Sequence, residues 1–100
     1  MLTVHLTPEF AAWLDTLRDK KAQIRIAARL RQAEAGNLGD WKPVGTGVSE
    51  MRVNFGPGYR LYFARKGSVL VVMLAGGDKS SQAADIRRAQ RILEQLESEP

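Results

Sequence analysis

Apolar residues recur along the chain with two different periods, and each change of period marks an element. Leu2, Val4 and Leu6 alternate with Thr3 and His5, which predicts a short strand with one buried face. Thr7-Pro8-Glu9 follows as a helix start. It offers a capping hydroxyl, a proline suited to the first helical position and an acid that complements the positive helix end. Phe10, Trp13, Leu14 and Leu17 then share one face at helical spacing. The stripe changes phase between Arg18 and Lys21. A second helix is predicted from Lys21 to Ala35, with Ile26, Leu30 and Ala33 inward, Lys21, Arg25 and Arg29 on another face, and Gly36-Asn37 as its stop.

Leu38 to Gly47 reads as a loop, rich in glycine and pinned to the core by Trp41. Period-two alternation returns in Met51, Val53 and Phe55, and after the Gly56-Pro57-Gly58 turn in Tyr59, Leu61 and Phe63. Lys66-Gly67 makes the next turn, and Val69 to Ala75 is apolar on both faces, as a central strand is. Gly76-Gly77 is expected to break that strand. Asp78, Ser80 or Ser81 then caps a last helix whose buried stripe is Ala83, Ile86, Ala89, Leu93 and Leu96. Short connections between the three strands imply an antiparallel meander. The order β-α-α-β-β-β-α predicts an α+β fold, with a helical hairpin and a C-terminal helix on a small, mainly antiparallel sheet. One domain is expected over residues 1–100.

Composition narrows the chemistry. Without cysteine there is no disulfide framework and no thiolate metal site, and the single histidine, His5, argues against zinc. The longest apolar run is far too short to span a bilayer, and the N-terminus lacks a charged segment followed by a long apolar one, so a cytoplasmic protein is expected. Lys and Arg number 15 against 11 Asp and Glu, a net charge of +4. Three of the acids, Glu94, Glu97 and Glu99, crowd the C-terminal end, which leaves the rest of the chain more basic. Arg18, Lys20, Lys21, Arg25, Arg29 and Arg31 face one nearby acid, Asp19. A basic body points to an anionic partner, either nucleic acid or an acidic protein, although such a helix taken alone is usually a solvated face.

The strand pattern also gathers chemistry. Opposite the predicted core face lie Glu50, Arg52, Asn54, Arg60 and Tyr62, brought together because side chains along a strand have period two. The start of the last helix, with Asp78, Lys79 and Gln82, leaves from the end of the central strand toward the same face. Two arginines and a lysine suit phosphate: guanidinium forks grip its oxygens, and clustered cations stabilise a phosphorane-like transition state. RNA supplies its own nucleophile, the 2′-hydroxyl, so cleavage calls for a base, an acid and charge stabilisation, with no metal or cofactor. Glu50 and Asp85 are the candidate bases and Tyr62 a weaker one. Composition alone favours the plainer reading, in which Glu50 makes ordinary cross-strand ion pairs with Arg52 and Arg60 on an exposed face. Gly45-Thr46-Gly47 and Gly76-Gly77-Asp78-Lys79-Ser80 lack the spacing of a phosphate-binding loop.

Three blocks of the chain resemble the "addiction module killer" (HigB-like) subgroup of the RelE/ParE toxins: Gly36-Asn37-Leu38-Gly39-Asp40-Trp41-Lys42-Pro43-Val44-Gly45, the run from Gly47 to Arg52 with Phe55-Gly56-Pro57-Gly58-Tyr59-Arg60-Leu61-Tyr62, and Leu74 to Gln82 with Asp85-Ile86 and Ala89. The resemblance implies a RelE-like fold and a type II toxin that acts as a ribosome-dependent mRNA endonuclease. It implies a cognate antitoxin, typically a helix-turn-helix protein, through which the pair binds operator DNA. By this likeness Arg60 sits in the Gly-Tyr-Arg strand motif, Arg52 is the nearest basic match on the preceding strand, and Lys79 is the basic residue after the last strand. Where such enzymes carry a tyrosine in the last helix this chain has Asp85, and the histidines of the better-studied HigB nucleases are missing. Glu50, Gln82 and Asp85 therefore rest on chemistry rather than motif. RNA or ribosome contact is expected of Lys21, Arg25, Arg29, Tyr62, Gln82, Arg87, Arg88 and Arg91. Those departures keep open a ParE-like gyrase poison without nuclease activity, and a degenerate member that binds only antitoxin and promoter.

Overall fold

The computed structural model describes residues 1–99. They run β1 (Thr3–Leu6), α1 (Pro8–Thr16), α2 (Lys20–Glu34), β2 (Trp41–Gly45), β3 (Val48–Val53), β4 (Tyr59–Lys66), β5 (Leu70–Asp78), a 3-10 turn (Lys79–Ser81) and α3 (Gln82–Ser98). The α+β class and the order of the helices match the sequence pattern, with one strand added. Trp41–Gly45, expected within a loop, pairs antiparallel with β3 as the outermost strand. It carries no apolar alternation because an edge strand is held by its backbone, and Pro43 is tolerated there for the same reason.

The five strands lie in the order β1-β5-β4-β3-β2. From β2 to β5 the sheet is the predicted antiparallel meander, while β1 joins the far side parallel to β5. Thr7 secures that junction. Its hydroxyl oxygen accepts from the Phe10 amide at 3.2 Å, capping α1, and the same hydroxyl donates to the Met73 carbonyl of β5 at 2.8 Å. Helix α2 begins on the carboxylate of Asp19, which accepts from the Lys21 amide at 2.9 Å. It ends at Gly36, whose φ of +99° favours glycine. There the Gly36 and Asn37 amides bond back to Ala33 and Gln32 at 2.9 and 3.0 Å, the paired bonds of a left-handed helix end.

Two cores flank the sheet. On one face Phe10 of α1 and Ala22, Ile26, Leu30 and Ala33 of α2 close over Met51, Val53, Tyr59, Leu61, Phe63, Val71 and Met73. On the other, Ala89, Ile92 and Leu93 of α3 close over Val48, Tyr62, Ala64, Val72, Leu74 and Ala75. The predicted stripe of α3 is thus shifted. Ala83 and Leu96 are exposed, and Asp85 and Ile92 take inward positions. The first turn of α3 lies over the polar end of the sheet, so the inward residue there is a carboxylate. Trp41 packs edge-on against Phe63, with ring centroids 5.9 Å apart, yet it stays 41% exposed and anchors β2 only from one side.

Gly76 and Gly77 do not break β5, which continues to Asp78. Pairing of β4 with β5 slips by one between Tyr62 and Phe63, leaving Leu74 as the extra residue. The bulge turns Leu74 and Ala75 toward α3 together and fixes which way each glycine faces. A Cβ on Gly76 would run into the Trp13 ring, and a Cβ on Gly77 into the Asp85 carboxylate. The glycine pair admits a tryptophan on one side of the strand and an acid on the other.

Candidate functional site

The site lies at the end of the sheet where α3 begins. Glu50 of β3 is paired across the ladder with Tyr62 of β4, and Arg52 with Arg60. Contrary to the exposed-face expectation, Glu50 is completely buried. Its Oε2 accepts from Arg52 Nε at 3.1 Å and from Arg60 Nη1 at 3.0 Å, and its Oε1 accepts from Gln82 Nε2 at 3.0 Å. One carboxylate therefore holds two arginines from adjacent strands and ties both to the first residue of α3. The arginine side chains keep 36% and 16% exposure, so each presents its free N–H groups outward. Like charges directly opposite on neighbouring strands repel, and the shared acid beneath them offsets that cost.

Asp85 is also buried. It accepts from Ser81 Oγ at 2.5 Å and from Arg88 Nη2 at 2.8 Å, and Arg88 donates as well to the Gly76 carbonyl at 3.2 Å. Neither candidate base is thus free to meet a substrate: each is enclosed and its oxygens are engaged. Tyr62, expected to touch RNA, is buried as well, and its hydroxyl has no hydrogen-bond partner among the described residues. Burial pushes this phenol up to about 12, with Glu50 and Asp85 adding to the rise and Arg60 and Arg88 opposing it. It stays neutral across the physiological range and serves neither as a base nor as a surface contact. Gln82 is half-buried with its amide spent on Glu50, so it positions that carboxylate.

Lys79 stands exposed in the 3-10 turn, its stem alongside Gly58 at the start of β4. Asp78 caps this turn by accepting from the Ser80 amide at 2.8 Å, and that bonding, with the Ser80 hydroxyl contributing most, holds its carboxyl below the usual range. The structure therefore brings Arg52 and Arg60 together over Glu50, with Lys79 on the turn leading into the same helix.

The remaining basic candidates divide. Lys21, Arg25, Arg87 and Arg91 are exposed, as a binding surface requires. Arg29 is instead a strut. Its Nη1 donates to the Arg52 carbonyl at 2.5 Å and its Nη2 to the Leu38 carbonyl at 3.0 Å, while burial draws the guanidinium below its ordinary value against the pull of Asp40. Gly39 makes room for it, since a Cβ there would sit 2.6 Å from Nη2. Arg88 is tied to Asp85 and Gly76 but remains half-exposed at its tip. Sequence reasoning missed the setting of Arg25, whose guanidinium lies 5.0 Å over the Phe55 ring. The two residues sit on different elements, and no pattern along the chain links them.

A small α+β domain with a five-stranded mixed sheet and a C-terminal helix is consistent with a RelE-like fold. Residues 12–97 match the family model described as "Phage derived protein Gp49-like (DUF891)". The chain belongs to this Gp49-like family, a RelE/ParE-like toxin family of toxin–antitoxin systems. A Haemophilus influenzae (strain Rd) protein described only as "Uncharacterized protein" is 39% identical over 95 residues, covering 95% of this chain and 96% of its own. Among the described residues no helix is long and apolar enough to cross a membrane.

Proposed function

We propose that this protein is the toxin of a type II pair and acts as a HigB-like, ribosome-dependent mRNA endonuclease that a cognate antitoxin neutralises. The observation that carries the reading is the double clamp of Arg52 and Arg60 on the single buried carboxylate of Glu50. It preorganises two guanidinium groups at one end of the sheet, where they stabilise charge that builds on a scissile phosphate. In the reaction the substrate's own 2′-hydroxyl gives its proton to a water molecule and attacks the adjacent phosphorus, forming a 2′,3′-cyclic phosphate as the 5′-oxygen leaves and is protonated, and the developing charge falls on the non-bridging oxygens that arginine forks recognise. Arginine stays protonated, so it binds and stabilises without transferring protons. Lys79 carries the transferable proton nearest in sequence to this helix start and is the candidate to protonate the leaving oxygen. Glu50 holds the arginines instead of acting as the base, and Asp85 packs α3 onto Gly77.

Lys21 and Arg25 of α2, and Arg87 and Arg91 of α3 on the opposite side of the sheet, supply exposed basic positions for ribosomal or messenger RNA, or for the acidic side chains of an antitoxin. A helix-turn-helix antitoxin would carry the pair to operator DNA. The enclosure of both carboxylates favours one alternative, a ParE-like gyrase poison in which Arg52, Arg60 and Lys79 are contact residues. Brief induction without antitoxin, followed by mapping of new 5′ ends on cellular mRNA, separates the two. Ends phased within translated codons, absent for Arg60→Ala, are expected. Intact mRNA with growth arrest and supercoiling defects would establish the gyrase reading.

A further inference from the structure

Between α2 and the free edge of β3 lies a cavity of about 320 Å³, lined by Arg25, Arg29, Arg52, Asp40, Asn54 and Phe55 among others. It exists because β2 stops short. Trp41 is its last partner to β3, opposite Met51, and the next β3 amide, that of Arg52, bonds the Asp40 carbonyl at 3.0 Å. At that point the strand edge passes from β2 to α2, because the Arg52 carbonyl accepts from Arg29 Nη1. Three arginines from two elements converge on the opening, and Asp40 is the one carboxylate in its lining. Arg25 and Arg29 form no ion pair among the described residues, so the positive charge is only partly balanced.

We infer that this cavity is a nucleotide subsite of the RNA track, one step from the phosphate held by Arg52 and Arg60; the inference rests on the endonuclease reading above. Arg52 joins the two places. Its Nε is spent on Glu50, while the residue also borders the cavity, where its backbone carbonyl accepts from Arg29, so a strand gripped at the arginine pair reaches the cavity by passing round the end of β3. Arg29 is fixed by its carbonyl bonds and gives the floor a permanent charge. Arg25 is exposed, and its guanidinium lies over the Phe55 ring to form a flat cationic plane of the kind on which bases stack. Asn54 is exposed beside it and offers both a donor and an acceptor to a base edge. The volume sits at the low end of small-ligand sites, roughly 300–1,000 Å³, which fits one nucleotide rather than several.

The test uses the purified full chain and a short fluorescein-labelled RNA with 2′-O-methyl groups, which removes the nucleophile and uncouples binding from cleavage. Anisotropy titrations across a salt series are expected to show binding that Arg25→Ala weakens on the order of tenfold, with the salt slope reduced by about one phosphate contact. Asn54→Ala is expected to lessen discrimination between oligonucleotides of different base without changing the slope. Both side chains are exposed, and thermal melting of each variant checks that the fold is retained. Three results would overturn the subsite: wild-type protein that does not bind the RNA, Arg25→Ala that binds with unchanged affinity and slope, or Arg25→Ala that loses antitoxin affinity alone. The last would assign the cavity to an acidic peptide. Cleavage of unmethylated mRNA on ribosomes is scored separately. Loss of phased cuts in wild type rejects the endonuclease reading, whereas normal cuts with Arg25-independent RNA binding reject only the subsite.

Discussion

Arg52 and Arg60 stand directly opposite each other on neighbouring strands, and both donate to the same oxygen of Glu50. Two cations at that spacing repel unless an anion lies between them, and a fully buried anion persists only where donors satisfy it. The three side chains therefore act as one unit, which gives each a distinct mutational signature.

Arg60→Ala is expected to abolish growth arrest and to lower mRNA cleavage by roughly 10² or more, the usual cost of removing one preorganised donor to developing charge. Arg60→Lys should recover folding but little activity, because an ammonium does not reproduce the fork. Induction assays with 5′-end mapping check both. Full toxicity of the alanine variant would remove Arg60 from the site.

Glu50→Gln tests whether the acid is a scaffold. Losing the charge between two arginines should cost about 3 kcal/mol, in the range found when one partner of a buried ion pair is removed. Urea unfolding of the variant reads the loss directly. A general base replaced by its amide would instead leave stability nearly unchanged while cleavage fell.

Tyr62→Phe removes a buried hydroxyl that has no hydrogen-bond partner among the described residues, so stability at neutral pH should hold or rise by about 1 kcal/mol, with toxicity retained. The phenol also sets an alkaline limit. Its ordinary value is 10.0 and burial pushes it to about 12 in the folded protein, so the folded state favours the neutral form. That contribution is complete below pH 10 and is lost as the pH rises toward 12, on the order of 2 kcal/mol in total. Wild type should therefore lose stability relative to Tyr62→Phe across this window. Parallel denaturation curves would argue against the shift.

Gly77→Ala should be severely destabilising, about 3 kcal/mol or more, because its methyl group would occupy the position of the Asp85 carboxylate. Adding Asp85→Ala should recover part of the loss, giving a coupling that two independent sites lack. Additive losses in melting experiments would mean the two positions do not touch.

Much of the architecture was legible in the chain. Period-two runs located β1, β3 and β4, a continuous apolar run located β5, helical spacing located all three helices, and Thr7, Asp78 and Gly36 marked ends that the structure uses. Those signals are local, because burying one face imposes a fixed spacing on the residues that line it. β2 left no such trace, since an edge strand depends on backbone pairing. The juxtaposition of Glu50, Arg52 and Arg60 was also readable from alternation plus a short turn, and so was the basic surface.

What the chain alone did not reveal was which of these groups are enclosed. Burial of Glu50, Tyr62 and Asp85 depends on α3 settling over the polar end of the sheet, an event between residues about 30 positions apart, as in the bond of Gln82 to Glu50. The facing of Gly76 and Gly77 depends on a single bulge at Leu74, which inverts every side chain beyond it. The cavity beneath Arg25 depends on β2 beginning only at Trp41, opposite Met51, so that Arg52 and Val53 of β3 have no β2 partner. Sequence periodicity specifies which side of an element a residue occupies. Only the packing of elements against one another decides what lies on that side, and so whether a carboxylate is a base, a clamp or a strut.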